Sequence, residues 1–304
     1  MAVTTSATMP QPVQAYYEKR FLMRAEENFI YEQLGTPGRI PANEGKTVVW
    51  NRVTNPSAKS TALTEGTDPT PSGLSATLIS ATVSQYGNFE QVSDILELSA
   101  VDTLIKETLD VLAYEAALSI DTVVVGALSG GGTALIASGV VNRNSLAPTN
   151  TVTVADIRKA KRELNTFAAM PHTRDRFVAT AHPDVIYDLE GDTNWVNAHI
   201  YTDKGIDSVY NGEAGELYGV RFMMTQKAPI LTNSGSGGTE VYQTHIMGKD
   251  FFGVSKLQNL TTYVDSPSPR SALRLYSDIG WKAAFAVKVL NDSFCQRLES
   301  AATA

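Results

Sequence analysis

The chain has 304 residues, of which 43% are hydrophobic, 19% charged and 8% aromatic, with a formal net charge of -7. Those figures exclude a disordered polar chain, a collagen-like repeat and a disulfide scaffold, and they suit one large domain or two smaller ones. Charge is uneven: residues 1–60 hold 7 Lys+Arg and 5 Asp+Glu, residues 61–130 hold 1 and 10, and residues 131–304 hold 17 and 17. No segment offers the dense basic face that gripping nucleic acid requires. The acidic block would repel its own copies unless it meets a basic surface such as a neighbour's N-terminal segment; as a solvated helix face it needs no partner.

In chain order, residues 1–14 lack periodicity and read as a flexible arm without a secretory leader. Tyr16, Tyr17, Phe21, Leu22, Ala25, Phe29 and Ile30 then recur at helical spacing, and the pattern predicts a helix reaching Leu34, where Gly35, Pro37 and Gly38 stop it. Thr47 to Val53 reads as a strand, and Ala76 to Val92 as a second long strand, separated by a Pro/Ser/Thr/Gly-rich stretch from Thr54 to Ser75. Together they predict a projecting two-stranded arm, which is marginal in water unless it packs on something.

From Asp94 to Leu128 the period becomes 3.6. Leu98, Val101, Ile105, Leu109, Leu112, Ala116, Ile120 and Val123 form an apolar stripe; Asp94, Glu97, Asp102, Lys106, Asp110 and Asp121 lie opposite. One continuous helix of that length would span about 50 Å and act as the backbone of the fold, ending at Gly130-Gly131-Gly132. No run approaches about 18 consecutive apolar residues, so no transmembrane helix is expected.

Further on, Val154 to Phe167 predicts an amphipathic helix bearing Arg158, Lys159, Lys161 and Arg162. Arg176 to Thr180 predicts a strand, and His182-Pro183-Asp184 a helix start. Strands are expected at Leu217–Met223, Thr239–Met247, Thr261–Val264, Ser271–Tyr276 and Trp281–Val289, giving a mixed α+β class around one long helix.

Catalytic signatures are missing. His172, His182, His199 and His245 show no zinc-ligand spacing, and the single Cys295 has no partner for a disulfide and suits a reducing compartment. Gly130-Gly131-Gly132 follows a helix and lacks the lysine of a phosphate loop, and Ser236 has Ser234 where a nucleophile elbow needs glycine. Asp188, Glu190 and Asp192 alternate, but Thr193 stands where a calcium loop needs glycine. No cofactor, metal or catalytic residue is expected; a flexible arm, a projecting hairpin and a long acidic helix describe an assembly protein.

The order of these parts resembles the tailed-bacteriophage major capsid proteins of the Hong Kong ninety-seven, or Johnson, fold. Leu63-Thr64-Glu65-Gly66, Gly212-Glu213-Ala214-Gly215-Glu216-Leu217-Tyr218-Gly219-Val220-Arg221, and Gly280-Trp281-Lys282 with Val289-Leu290-Asn291 are similar to segments of the N-four-like phage major capsid family. The resemblance implies an N-terminal arm (1–45), a hairpin called the E-loop (46–92), a peripheral domain with the spine helix (93–150), an axial domain (151–255) and a return to the peripheral domain (256–304). It implies self-assembly into hexamers and pentamers, a portal protein, optional separate scaffold and decoration proteins, and double-stranded DNA held only by weak non-specific contact. No membrane partner is implied. The expected location is the virion, assembled in the bacterial cytoplasm. Candidate inter-subunit contacts are Arg20, Arg24, Lys46, Trp50, Lys59, Glu65, Tyr86, Phe89, Asp94, Glu97 and Asp102. Lys46 and Lys59 lie where some relatives carry a crosslinking lysine, but no motif names its catalyst or acceptor, and no crosslink is assigned. The alternatives are an encapsulin-type compartment shell and a soluble α/β enzyme.

Overall fold

The computed structural model describes residues 11–26, 30–40, 45–54, 58–63, 65–66, 68–69, 71, 73–99, 104–172, 176–193, 195 and 215–303. The first helix, α1 (Gln11–Glu26), starts inside the segment expected as an arm, whose first ten residues lie outside the description. It does not continue to Leu34. A separate 3-10 turn, Glu32–Leu34, leads into β1 (Thr36–Gly38). The side chain of Asp121 accepts the Ile30 N–H at 3.1 Å, which holds the chain entering this turn against the spine.

The hairpin is β2 (Thr47–Val53) paired antiparallel with β3 (Ala76–Thr82), from Thr47↔Thr82 to Val53↔Ala76. The long strand expected from 76 to 92 is two strands, because Val83 turns inward as a corner. Its N–H donates to Lys46 O at 2.8 Å, and its side chain is buried with Val48, Ala284 and Ala286. After the corner β4 (Ser84–Ser93) leaves the hairpin and joins a four-stranded sheet of order β1-β11-β12-β4, where β11 is Phe252–Asp265 and β12 is Tyr276–Val289. These two 14-residue strands contain the expected 261–264 and 281–289 segments. The strand expected at Ser271–Tyr276 is instead a turn up to Leu275, with Arg274 N bonded to Ser271 O at 3.1 Å and Arg274 at φ 55°.

The spine is described in two pieces, α2 (Asp94–Ser99) and α3 (Leu104–Leu128), with residues 100–103 outside the description. From Ile105 the expected stripe faces the core: Ile105, Leu109, Leu112, Ala116 and Ile120 pack with Trp281, Phe285, Phe251 and Phe252, Val123 is partly buried beside them, and the Leu98 side chain and Val101 lie outside the described residues. Asp121, expected on the polar side, is 3% exposed, because α1 and the turn after it cover that flank. By length and composition Ile105–Leu128 could cross a membrane; here half of its most apolar stretch is buried inside the fold. The helix ends as expected, with Gly131 N bonded to Leu128 O and Gly132 at φ 77°.

A second sheet of seven strands has the order β5-β13-β10-β6-β8-β7, with β9 beside β10. Its strands are β5 (Thr133–Ile136), β6 (Phe177–Ala181), β7 (Glu216–Leu217), β8 (Val220–Met224), β9 (Ile230–Leu231), β10 (Val241–Met247) and β13 (Cys295–Ser300). The strand expected at 217–223 is therefore a β7–β8 hairpin, turned by Tyr218 (φ 51°) and Gly219 (φ 74°). Two helices cover one face. The first, α4 (Val154–Thr166), begins with a capping box between Thr153 and Asp156, and the second, α5 (Pro183–Glu190), begins on the His182 cap with proline in its first turn. Ile157, Ala160, Leu164, Val185, Ile186 and Leu189 meet Phe177, Ala179 and Leu298 in a second core. In strand pairing, residues 133–136 and 295–300 belong to this sheet, and 84–93 to the four-stranded one.

Candidate assembly surfaces

Among the described residues the hairpin is held to the body through Val48, Trp50 and Arg52 of β2. Val48 is 1% exposed, whereas Val49, Val53 and Leu78 are more than half exposed. A two-stranded ribbon with so little buried area is marginal alone, so what holds it is local. The indole of half-buried Trp50 lies against two glycines, and a Cβ on Gly38 or Gly253 would stand 2.8 or 2.6 Å from its ring atoms. Arg52 Nη1 donates to Leu290 O at 3.0 Å. Away from the base, Leu63 and Leu74 are 73% and 76% exposed. Lys46, Lys59 and Glu65 are also exposed.

On the four-stranded sheet, Tyr86 packs on Phe285 with ring centroids 5.0 Å apart, an intrachain contact. Phe89 points out at 54% exposure with the Arg270 guanidinium 6.0 Å from its ring, and Lys282 lies 5.3 Å from the Tyr263 ring. These side chains border an open groove of about 590 Å³ along β4 and β12.

The basic N-terminal helix meets the acidic spine of its own chain. Arg20 donates from Nε and Nη2 to the two Asp110 oxygens at 2.9 and 2.6 Å, and this fork holds the Asp110 carboxyl below its ordinary range, with the charge of Arg24 adding to it. Lys256 pairs with Glu32 in the same region. Asp94 opens α2: its N–H donates to Leu275 O at 2.9 Å, and its carboxylate accepts the Ile95 N–H at 2.7 Å. The Glu97 side chain and Asp102 lie outside the described residues.

A buried charge cluster joins the spine to the seven-stranded sheet. Glu299 on β13, 1% exposed, accepts Arg143 at 2.6 and 2.5 Å, Arg297 Nε at 3.0 Å and Gln243 Nε2 at 3.2 Å. Arg297 Nη1 also donates to Ser129 O and Gly131 O, the carbonyls that close α3. Burial opposes ionisation of Glu299, but the two guanidiniums outweigh it and hold the carboxyl low. Sequence reading missed this cluster, since Arg143 and Glu299 are 156 residues apart; the alternation Arg297-Leu298-Glu299 on one strand face was the available hint.

The groups with chemical potential are used structurally. Cys295 is fully buried, and burial pushes its thiol well above the usual range, away from nucleophilic use. His245 is buried on β10 and desolvation lowers it to about 4. A ring nitrogen of His172 is 3.1 Å from Leu34 O, and His182 caps α5; His199 lies outside the described residues. Asp188 accepts the Thr303 N–H and Asp192 the Val154 N–H, so both serve the backbone. Among the described residues no three His, Cys, Asp or Glu side chains group as metal ligands.

Architecture of this kind defines a class: an α+β chain with a projecting hairpin, a spine helix and two separately cored sheets. Solved structures identify it further. The chain resembles the capsid of Ralstonia phage GP4 with a TM-score of 0.71, at 13% identity over 86% of this chain and 85% of that one. It resembles the capsid of cyanophage Pam1 at 0.66, with 15% identity over 86% of each chain. The capsid of cyanophage P-SCSP1u matches at 0.65, with 16% identity over 90% of this chain and 89% of that one. No protein-family model matches the chain, and no curated protein matches it in sequence. The fold is the Hong Kong ninety-seven type of α+β capsid fold.

Proposed function

We propose that the chain is the major capsid protein of a tailed bacteriophage, a non-catalytic subunit that assembles into an icosahedral shell around double-stranded DNA. The observation that carries this reading is the hairpin: a ribbon fixed at its base, with Val49, Val53 and Leu78 facing solvent, on a capsid fold. Such a ribbon gains stability by lying on a neighbour, and repetition over a closed shell makes many modest contacts large in sum. The four-stranded sheet with the spine would form the peripheral domain, and the seven-stranded sheet the axial domain around the five-fold and six-fold axes. The N-four-like family is the branch its motifs suit.

Partners are other copies as hexamers and pentamers, a portal protein, and scaffold or decoration proteins where the phage uses them. Lys46, Lys59, Glu65 and Phe89 are exposed and suited to contact a neighbour. Trp50, Tyr86 and Arg20 first serve their own chain and would act through the positions they fix. DNA would be enclosed with little direct grip, and assembly would take place in the host cytoplasm before residence in the virion.

Sedimentation and negative-stain electron microscopy of the purified protein test the proposal. Closed shells or ring-shaped capsomers are expected; a chain that stays monomeric or dimeric at all salt and protein concentrations, even with scaffold-containing lysate added, refutes it. Nucleic acid inside native particles distinguishes a phage shell from an enzyme compartment of the same fold.

A further inference from the structure

α4 turns Ile157, Ala160 and Leu164 to the core and carries Arg158, Lys161 and Arg162 on its other side. With Asn165, Thr166 and Tyr218 these cations line a groove of about 490 Å³ with no acidic side chain among the described residues that line it. They are held in place: the Arg158 guanidinium lies 5.5 Å from the Tyr218 ring centre, and Lys161 Nζ donates to Tyr218 O at 2.5 Å. The nearest counter-charge, Glu163, is 3.6 Å from exposed Arg162 and offsets one charge of three.

A cluster of opposite sign sits elsewhere on the same sheet. Tyr242 donates its hydroxyl to Asp184 at 3.0 Å; burial, then Asp184 with Glu240 and Asp188, raises the phenol to about 12, so all three carboxylates converge there. The basic groove adjoins the β7–β8 turn, next to Phe177↔Val220, where β6 begins. Tyr242 lies past the other end of β6 on β10, and Asp188 binds the Thr303 N–H beyond β13. The groove and the Tyr242 cluster therefore lie toward opposite ends of β6, and among the described residues no ion pair joins them.

We propose that the α4 groove of one copy receives the Asp184, Asp188 and Glu240 cluster of the next copy around a ring. This rests on the shell-forming function proposed above and names the partner surface. A head-to-tail contact needs two different, complementary patches on one chain, and rotation closes it into a ring; a two-fold contact through either patch would oppose like charges. A nucleic-acid backbone would satisfy the groove but leave the acidic cluster unmatched. Residues 131–304 also carry no net positive charge, with 17 cations against 17 anions.

The test is a charge swap: Arg158→Glu with Arg162→Glu, Asp188→Lys with Glu240→Lys, and all four together, each checked for wild-type circular dichroism before its assembled fraction is measured by sedimentation. At about 0.1 M salt each pair of reversals should lower the assembled fraction about fivefold or more, and the fourfold variant should return to within about twofold of wild type. A wild-type shell indifferent to either reversal, or a fourfold variant no better than its parents, overturns the contact alone. Reversed-α4 shells that form normally but retain less DNA overturn it in favour of a nucleic-acid groove. A wild-type chain that never assembles, even with scaffold-containing lysate, overturns the shell function and the contact with it.

Discussion

Replacing Glu299 by alanine should be among the most damaging single changes in the seven-stranded sheet. The carboxylate is 1% exposed and accepts from Arg143, Arg297 and Gln243, so its removal leaves the Arg297 guanidinium, 11% exposed, without an anion. Breaking a buried pair from one side costs about 3–5 kcal/mol. The lower end applies here, because Arg143 is 36% exposed and can regain water, while Arg297 keeps Ser129 O and Gly131 O. The expected loss is therefore about 3 kcal/mol, against about 1 kcal/mol for Arg143→Ala, where Glu299 retains Arg297. Equilibrium urea unfolding of unassembled subunits, followed by circular dichroism, measures both. The sign with pH is also fixed: because the folded carboxyl lies below its ordinary value, its stabilisation is present above about pH 4.5 and is lost as pH falls through the folded value. Glu299→Ala should remove that dependence. A loss below about 1 kcal/mol, or an unchanged acid limb, would refute the account of the cluster as a tie between the spine and the sheet.

Three further outcomes are expected. Gly253→Ala sets a Cβ within 2.6 Å of the Trp50 indole. It should cost about 1–3 kcal/mol, shift tryptophan emission and speed proteolysis within 54–75, whereas unchanged emission would mean that Trp50 does not anchor the hairpin. Burial raises Asp121 from 3.8 to about 6, so its folded form gains protons first, and stability rises as pH falls from 6 toward 4 by about 3 kcal/mol. Asp121→Asn should lose that slope, and parallel stability–pH curves for the two proteins would rule this out. Arg20 and Asp110 are each more than a third exposed, so a double-mutant cycle with alanine should give a coupling of only about 0.5–1 kcal/mol that shrinks in 1 M salt. A coupling above about 2 kcal/mol would show that the pair is shielded from water in the working assembly.

Local regularities in the chain were enough to set the class of the fold. Helical spacing marked most of the buried face of α3, the amphipathic run from Val154 and the His182 start located α4 and α5, and strand-forming residues marked β2, β3 and β10. Those signals are short-ranged, because side chains three, four or two positions apart share a face whatever the remainder of the chain does. The lack of metal spacing and nucleophile motifs, and the order of arm, hairpin and spine, likewise came from the sequence, and they directed attention to assembly surfaces.

Only the tertiary structure decided where the elements break and what they meet. Val83 reads like any strand residue, yet burial against Ala284 and Ala286 makes it the corner where the hairpin ends. β1 and β5 are three and four residues long and exist because β11 and β13 supply parallel partners more than 150 positions away. Asp121 belongs to the polar side of an isolated helix and becomes buried only when α1 and its turn close over it. The same holds for Glu299 and Arg143, which share a bidentate contact across 156 residues. Periodicity reports on one element's own faces, whereas pairing over such distances depends on the free energy of the whole packed chain, and it is that packing which leaves the hairpin exposed and puts charges of opposite sign toward opposite ends of β6.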